Sequence, residues 1–220
     1  MPHEPLAVHA LLRAAPLEAL TWELPAPEWA RASLQRAPWV VVRRAARRAG
    51  MWPVGVRGAL RVQRGAAWLP DFAVQACITP LQLAARLAWR QHPVSAASPA
   101  VAALDEVAAI LAAHGHAGRW GPAGSVGFEL ASALPCTGAH SDLDLVLMAD
   151  QPMARTEAAG LHADLSQLPV RIDLLLETPD GAVALSEYAT AGRMVLLRCA
   201  QGPRLVCDPW RPGRAAAQIA

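Results

Sequence analysis

At 220 residues the chain is long enough for one large domain or two small ones, and 54% hydrophobic residues make it a folding composition rather than a disordered one. The formal net charge of +2 selects no partner, but all 20 basic residues are arginine, so any phosphate held by a side-chain cation must be held by a guanidinium or through a metal. The apolar runs are too short to span a bilayer, and Cys77, Cys136, Cys199 and Cys207 form neither a zinc pattern nor a disulfide framework, so a cytoplasmic protein without membrane contact is expected.

Residues 1–92 read as a first unit. Glu28–Gln35 has the pattern of a short helix, and Trp39–Val42 that of a buried strand running into an arginine-rich turn. Pro53–Val56 and Leu60–Trp68 predict two strands joined near Gly58. Thr79-Pro80 before Leu81, Leu83, Leu87 and Trp89 predicts a helix with Thr79 as its N-cap and proline at its first position. The Pro/Ser/Ala stretch His92–Pro99 has no periodicity and is the candidate linker.

Residues 93–210 form the second unit, and 211–220 a tail. Ala100–His114 carries apolar residues at helical spacing and ends at Gly115. Trp120–Gly124 reads as a turn, Val126–Ala133 as a short helix, Leu143–Met148 as a strand and Ala154–Leu165 as a helix. Val170–Leu176 and Met194–Arg198 read as strands, the last followed by a hairpin through Gln201-Gly202 to Val206. The alternation predicts an α/β (α+β) fold of two domains.

The chemistry concentrates in Gly124-Ser125-Val-Gly-Phe-Glu, followed by Ser141-Asp142-Leu-Asp144-Leu-Val-Leu. In an extended chain residues i and i+2 share a side, about 6.5 Å apart, so Asp142 and Asp144 project together while Leu143 and Leu145 face the core. Two carboxylates so placed repel one another unless cations lie between them, and the oxygen-liganded divalent ions of phosphoryl transfer meet that need. Gly124 lets backbone approach a phosphate, and Ser125 opens a helix whose free amides favour anions. Asp173, in the apolar run Val170-Arg-Ile-Asp-Leu-Leu-Leu176, is the expected third carboxylate, with Arg171 as its charged neighbour on the same side. An isolated Asp-x-Asp is usually a solvated pair and an isolated Gly-Ser means little; the joint pattern is far more restrictive.

This order of motifs resembles the DNA polymerase β-like nucleotidyltransferases, with a longer gap between Ser125 and Asp142 and with Val126 where an arginine often follows Gly-Ser. The strings Gly124-Ser-Val-Gly-Phe-Glu-Leu-Ala, Ser141-Asp-Leu-Asp-Leu, Trp52-Pro-Val-Gly-Val-Arg-Gly58 and Gly202-Pro-Arg-Leu-Val-Cys-Asp-Pro-Trp210 are similar to one branch, the phosphoribosyl-dephospho-CoA transferases. These are the holo-[acyl-carrier-protein] synthases of malonate decarboxylase, and the likeness spans nearly the whole chain. It implies a mixed-sheet catalytic domain behind a small α/β N-terminal domain. The activity implied is transfer of 2′-(5″-phosphoribosyl)-3′-dephospho-CoA, from its triphosphate precursor to a serine of the malonate decarboxylase acyl carrier protein, with release of pyrophosphate. Asp142, Asp144 and Asp173 would be catalytic and would hold Mg²⁺, or Mn²⁺ in its place. Gly124 and Ser125 would hold phosphates, Arg57, Arg119 and Arg193 are candidates for the triphosphate, and His140 is a candidate substrate contact. Two alternatives stay open: a nucleotidyltransferase using ATP on another acceptor, and an inactive nucleotide-binding module, against which the intact aspartates argue.

The densest basic region, Arg43, Arg44, Arg47 and Arg48 with Arg57, Arg61 and Arg64, reads equally as a docking face for an acidic carrier protein and as a solvated surface. It lacks the motifs of a nucleic-acid binder. His114 and His116 flank a helix end and read as capping or surface residues, and Glu129 either orients the phosphate loop or caps a neighbouring turn.

Overall fold

The structure is a computed structural model describing residues 7–91 and 98–213; most of the candidate linker and of the tail lies outside them. Its N-terminal sheet comprises β1 (Leu11–Ala14), β2 (Thr21–Trp22), β3 (Trp39–Val42), β4 (Met51–Arg57), β5 (Arg64–Pro70) and β6 (Val74–Ile78). These six strands pair antiparallel in the order β2-β5-β4-β3-β1-β6. Alternation sets the faces: Trp52, Val54 and Val56 of β4 are buried with Leu12, Val40 and Leu69. Helix α1 (Glu28–Arg36) adds Ala30 and Leu34 from one stripe. Leu60–Gln63, expected to begin a strand, is instead the β4–β5 turn. Gly58 N–H donates to the Gln63 carbonyl, and Leu60 N–H to the Gln63 side chain, a local bonding pattern that competes with a ladder.

The C-terminal sheet is built from β7 (Trp120–Pro122), β8 (Leu143–Met148), β9 (Ile172–Thr178), β10 (Gly181–Ala184), β11 (Val195–Cys199) and β12 (Gly202–Val206), in the order β12-β11-β10-β9-β8-β7. It is a mixed sheet: β8 and β9 run parallel, joined by the crossover helix α6 (Arg155–Leu165), and the other pairs are antiparallel. Helix α2 (Pro80–Ala85) has the expected Thr79 cap, completed by Gln82 as a capping box. The expected helix Ala100–His114 is two, α3 (Pro99–Ala102) and α4 (Leu104–Ala113). Helix α5 (Gly124–Ser132) follows β7, and α7 (Leu185–Thr190) follows β10. Leu104, Leu111, Leu143, Leu147, Leu161 and Leu176 lie in the core between these helices and the sheet.

Two expectations need correcting. Trp120-Gly-Pro122 is a strand, not part of a turn, pairing with Leu145–Leu147. Helix α2, although it precedes the candidate linker, packs on β7 of the second sheet. A Cβ at Gly121 would stand 1.9 Å from the Pro80 carbonyl oxygen, so the absence of a side chain there lets α2 close onto the strand. A third apolar cluster, Leu11, Ala37, Leu83 and Phe128, joins the two units. Among the described residues, no helix is long and apolar enough to cross a membrane.

Candidate active site

The parallel pairing of β8 and β9 positions the acidic residues. Asp144 and Asp173 are direct partners in its register, on neighbouring strands about 4.8 Å apart. Leu143, Leu145 and Leu147 turn the other way and are fully buried. Asp142 sits just before β8, its side chain 26% exposed. The strand carrying Asp173 begins two residues later than its sequence suggested, but Arg171 remains its close neighbour, donating to Asp173 Oδ1 from both Nε and Nη2 at 3.2 Å.

Gly124 closes this arrangement from above. It opens α5 with φ +54°, and a Cβ there would fall 1.8 Å from Asp144 Oδ2. The Ala123 N–H donates to the Asp144 backbone carbonyl at 2.8 Å, tying the start of the helix to β8. Ser125 is half-buried in the first turn of α5, and Gly124 is exposed. The nine-residue helix therefore directs its free amides toward the space in front of Asp144.

Glu129 is fully buried on α5, and its role can be assigned. Its Oε2 accepts from the backbone amides of Cys136 and Thr137 at 2.6 and 2.7 Å, so it fastens the loop that leads to Asp142. The Cys136 thiol donates to the Ser125 carbonyl at 3.3 Å, securing the same loop to the first turn of the helix.

Electrostatics single out Asp144. Burial, followed by the charges of Asp173 and Asp142, pushes its carboxyl above the ordinary range, against the smaller pull of His9 and Arg61. A divalent cation would relieve both effects, and an all-carboxylate set is the oxygen-donor chemistry that Mg²⁺ requires. Among the described residues, no three His, Cys, Asp or Glu side chains are gathered as a ready metal cage. Two of the acids instead engage guanidiniums: Arg61 approaches Asp142 at 3.5 Å, and Arg171 holds Asp173. Residue type and strand register thus fit a metal site, whereas the Asp142 and Asp173 rotamers are those of ion pairs.

Other candidates are distributed less tidily. Arg57 ends β4 facing Phe128, 5.7 Å from the ring centroid, and lines a cleft of about 390 Å³ that also contains Gly124, Val41, Val56 and Arg64. Arg119 is misplaced for a triphosphate contact. Its carbonyl bonds Met148 at the far end of β8 and its guanidinium meets Asp150 at 3.2 Å, about four strand residues, or roughly 13 Å, beyond Asp144. His140 is exposed in the turn before Asp142. Arg193 lies in the exposed segment between α7 and β11.

Most of the arginines of the arginine-rich turn are engaged within the chain. Arg43 pairs with Glu23, Arg44 with Glu177 and Arg47 with Asp71, and Arg47 and Arg48 stack over Trp52 and Trp68. Sequence reasoning missed His9 and Glu177. His9 Nε2 lies 3.5 Å from Glu177 Oε1, and Arg44 bonds the same carboxylate at 2.5 and 2.7 Å. The signal available was an acidic residue inside the apolar strand β9, four positions beyond Asp173.

Comparison with known proteins finds a family match in each of the two units. The sequence profile described as the phosphoribosyl-dephospho-CoA transferase MdcG N-terminal domain matches residues 7–80, and its C-terminal domain counterpart matches residues 82–209. A protein of Azotobacter vinelandii named phosphoribosyl-dephospho-CoA transferase is 44% identical over 187 residues, covering 84% of this chain and 86% of its own. A Pseudomonas putida protein of the same name is 43% identical over 204 residues, with 92% and 94% covered. A third, from Klebsiella pneumoniae, is 40% identical over 200 residues, with 91% and 92% covered. No solved structure matches the chain.

Proposed function

This chain belongs to the phosphoribosyl-dephospho-CoA transferase family, and on that premise we propose that it attaches a dephospho-CoA-derived prosthetic group to an acyl carrier protein. The donor is 2′-(5″-triphosphoribosyl)-3′-dephospho-CoA, and the acceptor is a serine of the malonate decarboxylase carrier subunit. The serine oxygen forms a bond to the α-phosphorus, the bond from that phosphorus to the β-phosphate bridging oxygen breaks, and pyrophosphate departs.

The observation that carries this reading is the register of β8 against β9, which sets Asp144 beside Asp173 while Gly124 packs on the Asp144 carboxylate. Asp142, Asp144 and Asp173 would hold Mg²⁺, which when bound supplies charge neutralisation to the reacting phosphate and the departing pyrophosphate. Asp173 takes the serine proton. The amides opening α5 and the Ser125 hydroxyl orient the phosphates, a positioning role in a reaction governed by positioning. A cleft of about 390 Å³ reaches Gly124, and another of about 540 Å³ is bounded by Asp173, Arg171 and the end of α6. The sheet order and the Gly-Ser helix are compatible with the polymerase β-like plan.

The test combines purified protein, Mg²⁺, the triphosphate precursor and apo carrier protein, with intact mass spectrometry as the readout. The carrier should gain the mass of one phosphoribosyl-dephospho-CoA group, and Asp144→Asn should reduce the rate at least a thousandfold, as the loss of a metal-holding carboxylate does (about 4 kcal/mol of barrier). A carrier that stays unmodified, or an adenylate increment when ATP is offered instead, defeats the assignment.

A further inference from the structure

Arg57, Arg61 and Arg64 cluster on the β4–β5 hairpin. Arg57 and Arg64 are direct partners across the β4–β5 pair, so their side chains leave the same face, and like charges placed directly opposite destabilise a strand pair. Arg61 rides on the turn between them. Loss of hydration, followed by repulsion from Arg57 and then Arg61, draws the Arg64 guanidinium below its ordinary range. Arg43, Arg44 and Arg47 each have a carboxylate partner; among the described residues Arg57 and Arg64 have none. Arg64 donates to the carbonyls of Leu60 and Gln63, and Arg61, 85% exposed, meets Asp142 only at 3.5 Å.

The crowding is aimed. Arg57 and Arg64 line the same cleft as Gly124, which packs on Asp144, and Arg61 meets Asp142, so the arginine cluster borders the acidic one. An anion with several charges, bridged to the acids by cations, would satisfy both clusters at once. In a chain without lysine, guanidinium forks are the side-chain cations available to grip it.

We propose that Arg57, Arg61 and Arg64 form a clamp for the β- and γ-phosphates, making the β4–β5 hairpin the leaving-group subsite opposite the aspartates. The N-terminal unit then supplies part of the active site, holding pyrophosphate as its bond to the α-phosphorus breaks. This inference rests on the proposed transfer reaction, but its binding component can be measured without it.

Inorganic tripolyphosphate, titrated calorimetrically into the full-length protein with Mg²⁺, is the direct probe. Arg61→Gln alters a side chain that is 85% exposed and should leave the fold intact. It should weaken tripolyphosphate binding about tenfold, the loss of one charge-assisted hydrogen bond, and Arg57→Gln/Arg64→Gln about a hundredfold. The KM for the triphosphate precursor and the inhibition constant for pyrophosphate should rise by similar factors, while competition by dephospho-CoA, which lacks the triphosphate, stays as in the wild type. Arg47→Gln removes one positive charge elsewhere and should change none of these values. Equal tripolyphosphate affinity in wild type and Arg61→Gln, or a loss of the same size in Arg47→Gln, overturns the clamp. A wild-type protein that binds tripolyphosphate through these arginines yet leaves the carrier unmodified overturns the transfer reaction and upholds the clamp. One that modifies the carrier while the arginine variants keep their pyrophosphate inhibition overturns the clamp alone.

Discussion

Gly124 meets two demands at a single atom. Its φ of +54° lies in the left-handed region, where a side chain costs about 1 kcal/mol or more, and the missing Cβ would occupy space held by Asp144 Oδ2. Gly124→Ala must therefore move either the opening turn of α5 or the carboxylate. The expected result is a fall in kcat of about a hundredfold, since small misplacements at a reacting centre have effects of that order, with a modest drop in Tm by calorimetry. Asp144 shows the opposite balance. Its raised pKa means that the folded protein binds this proton more tightly than the unfolded chain. The resulting stabilisation is present below the ordinary value of 3.8 and disappears as the pH climbs through the folded-state value. The ionised carboxylate is the form that burial and its acidic neighbours disfavour in the metal-free protein, so Asp144→Asn should lose activity without losing Tm, the mark of a residue retained for chemistry.

Elements deliver these residues, and some deliveries could be foreseen from sequence while others could not. Strand β8 was legible to the residue, because Leu143 and Leu145 alternate with Asp142 and Asp144 before the run turns wholly apolar. The Thr79-Pro80 cap was legible because its chemistry is local. Strand β1, Leu11–Ala14, was not, being four residues long with partners as distant as Cys77; strand β10, Gly181–Ala184, folds straight back on β9, but four residues carry too little pattern to show it. The three candidate acids could be singled out because Gly-Ser, Asp-x-Asp and a later Asp in an apolar run form a joint pattern, whereas His9 gains significance only when folding brings it to Glu177. The loop before Asp142 was likewise opaque, since its shape comes from Glu129, one helix away. Glu129→Ala would leave the Cys136 and Thr137 amides without their acceptor, costing about 2 kcal/mol for the two bonds to a charged group. Urea unfolding should register that loss, and kcat should fall while the KM of the carrier protein stays nearly constant, because the loop sets Asp142 and not the acceptor.

At the scale of the molecule, the proposed reaction would require the two sheets to hold a fixed distance, with the acids on one and the crowded arginines on the other. The apolar cluster around Phe128 and Leu83 supplies adhesion without much direction. A polar join is made by Glu177 of the C-terminal sheet, met by His9 and Arg44 of the N-terminal unit. Burial alone would raise this carboxyl, but the His9 imidazole and the Arg44 guanidinium outweigh it and hold the group below its ordinary value of 4.5. A depressed folded-state pKa contributes stability that is fully present above the ordinary value and is lost as the pH falls through the folded one. Glu177→Gln should thus destabilise the protein by about 2 kcal/mol at pH 7, and the gap between variant and wild type should close as the pH drops below 4.5. If Glu177 aligns the sheets as well as joining them, the same variant should raise the KM for the triphosphate precursor several-fold at pH 7, since Arg57, Arg61 and Arg64 would no longer be held opposite Asp144. A variant that is less stable but binds the precursor as tightly as the wild type would reduce Glu177 to a fastener and return the alignment to the apolar cluster.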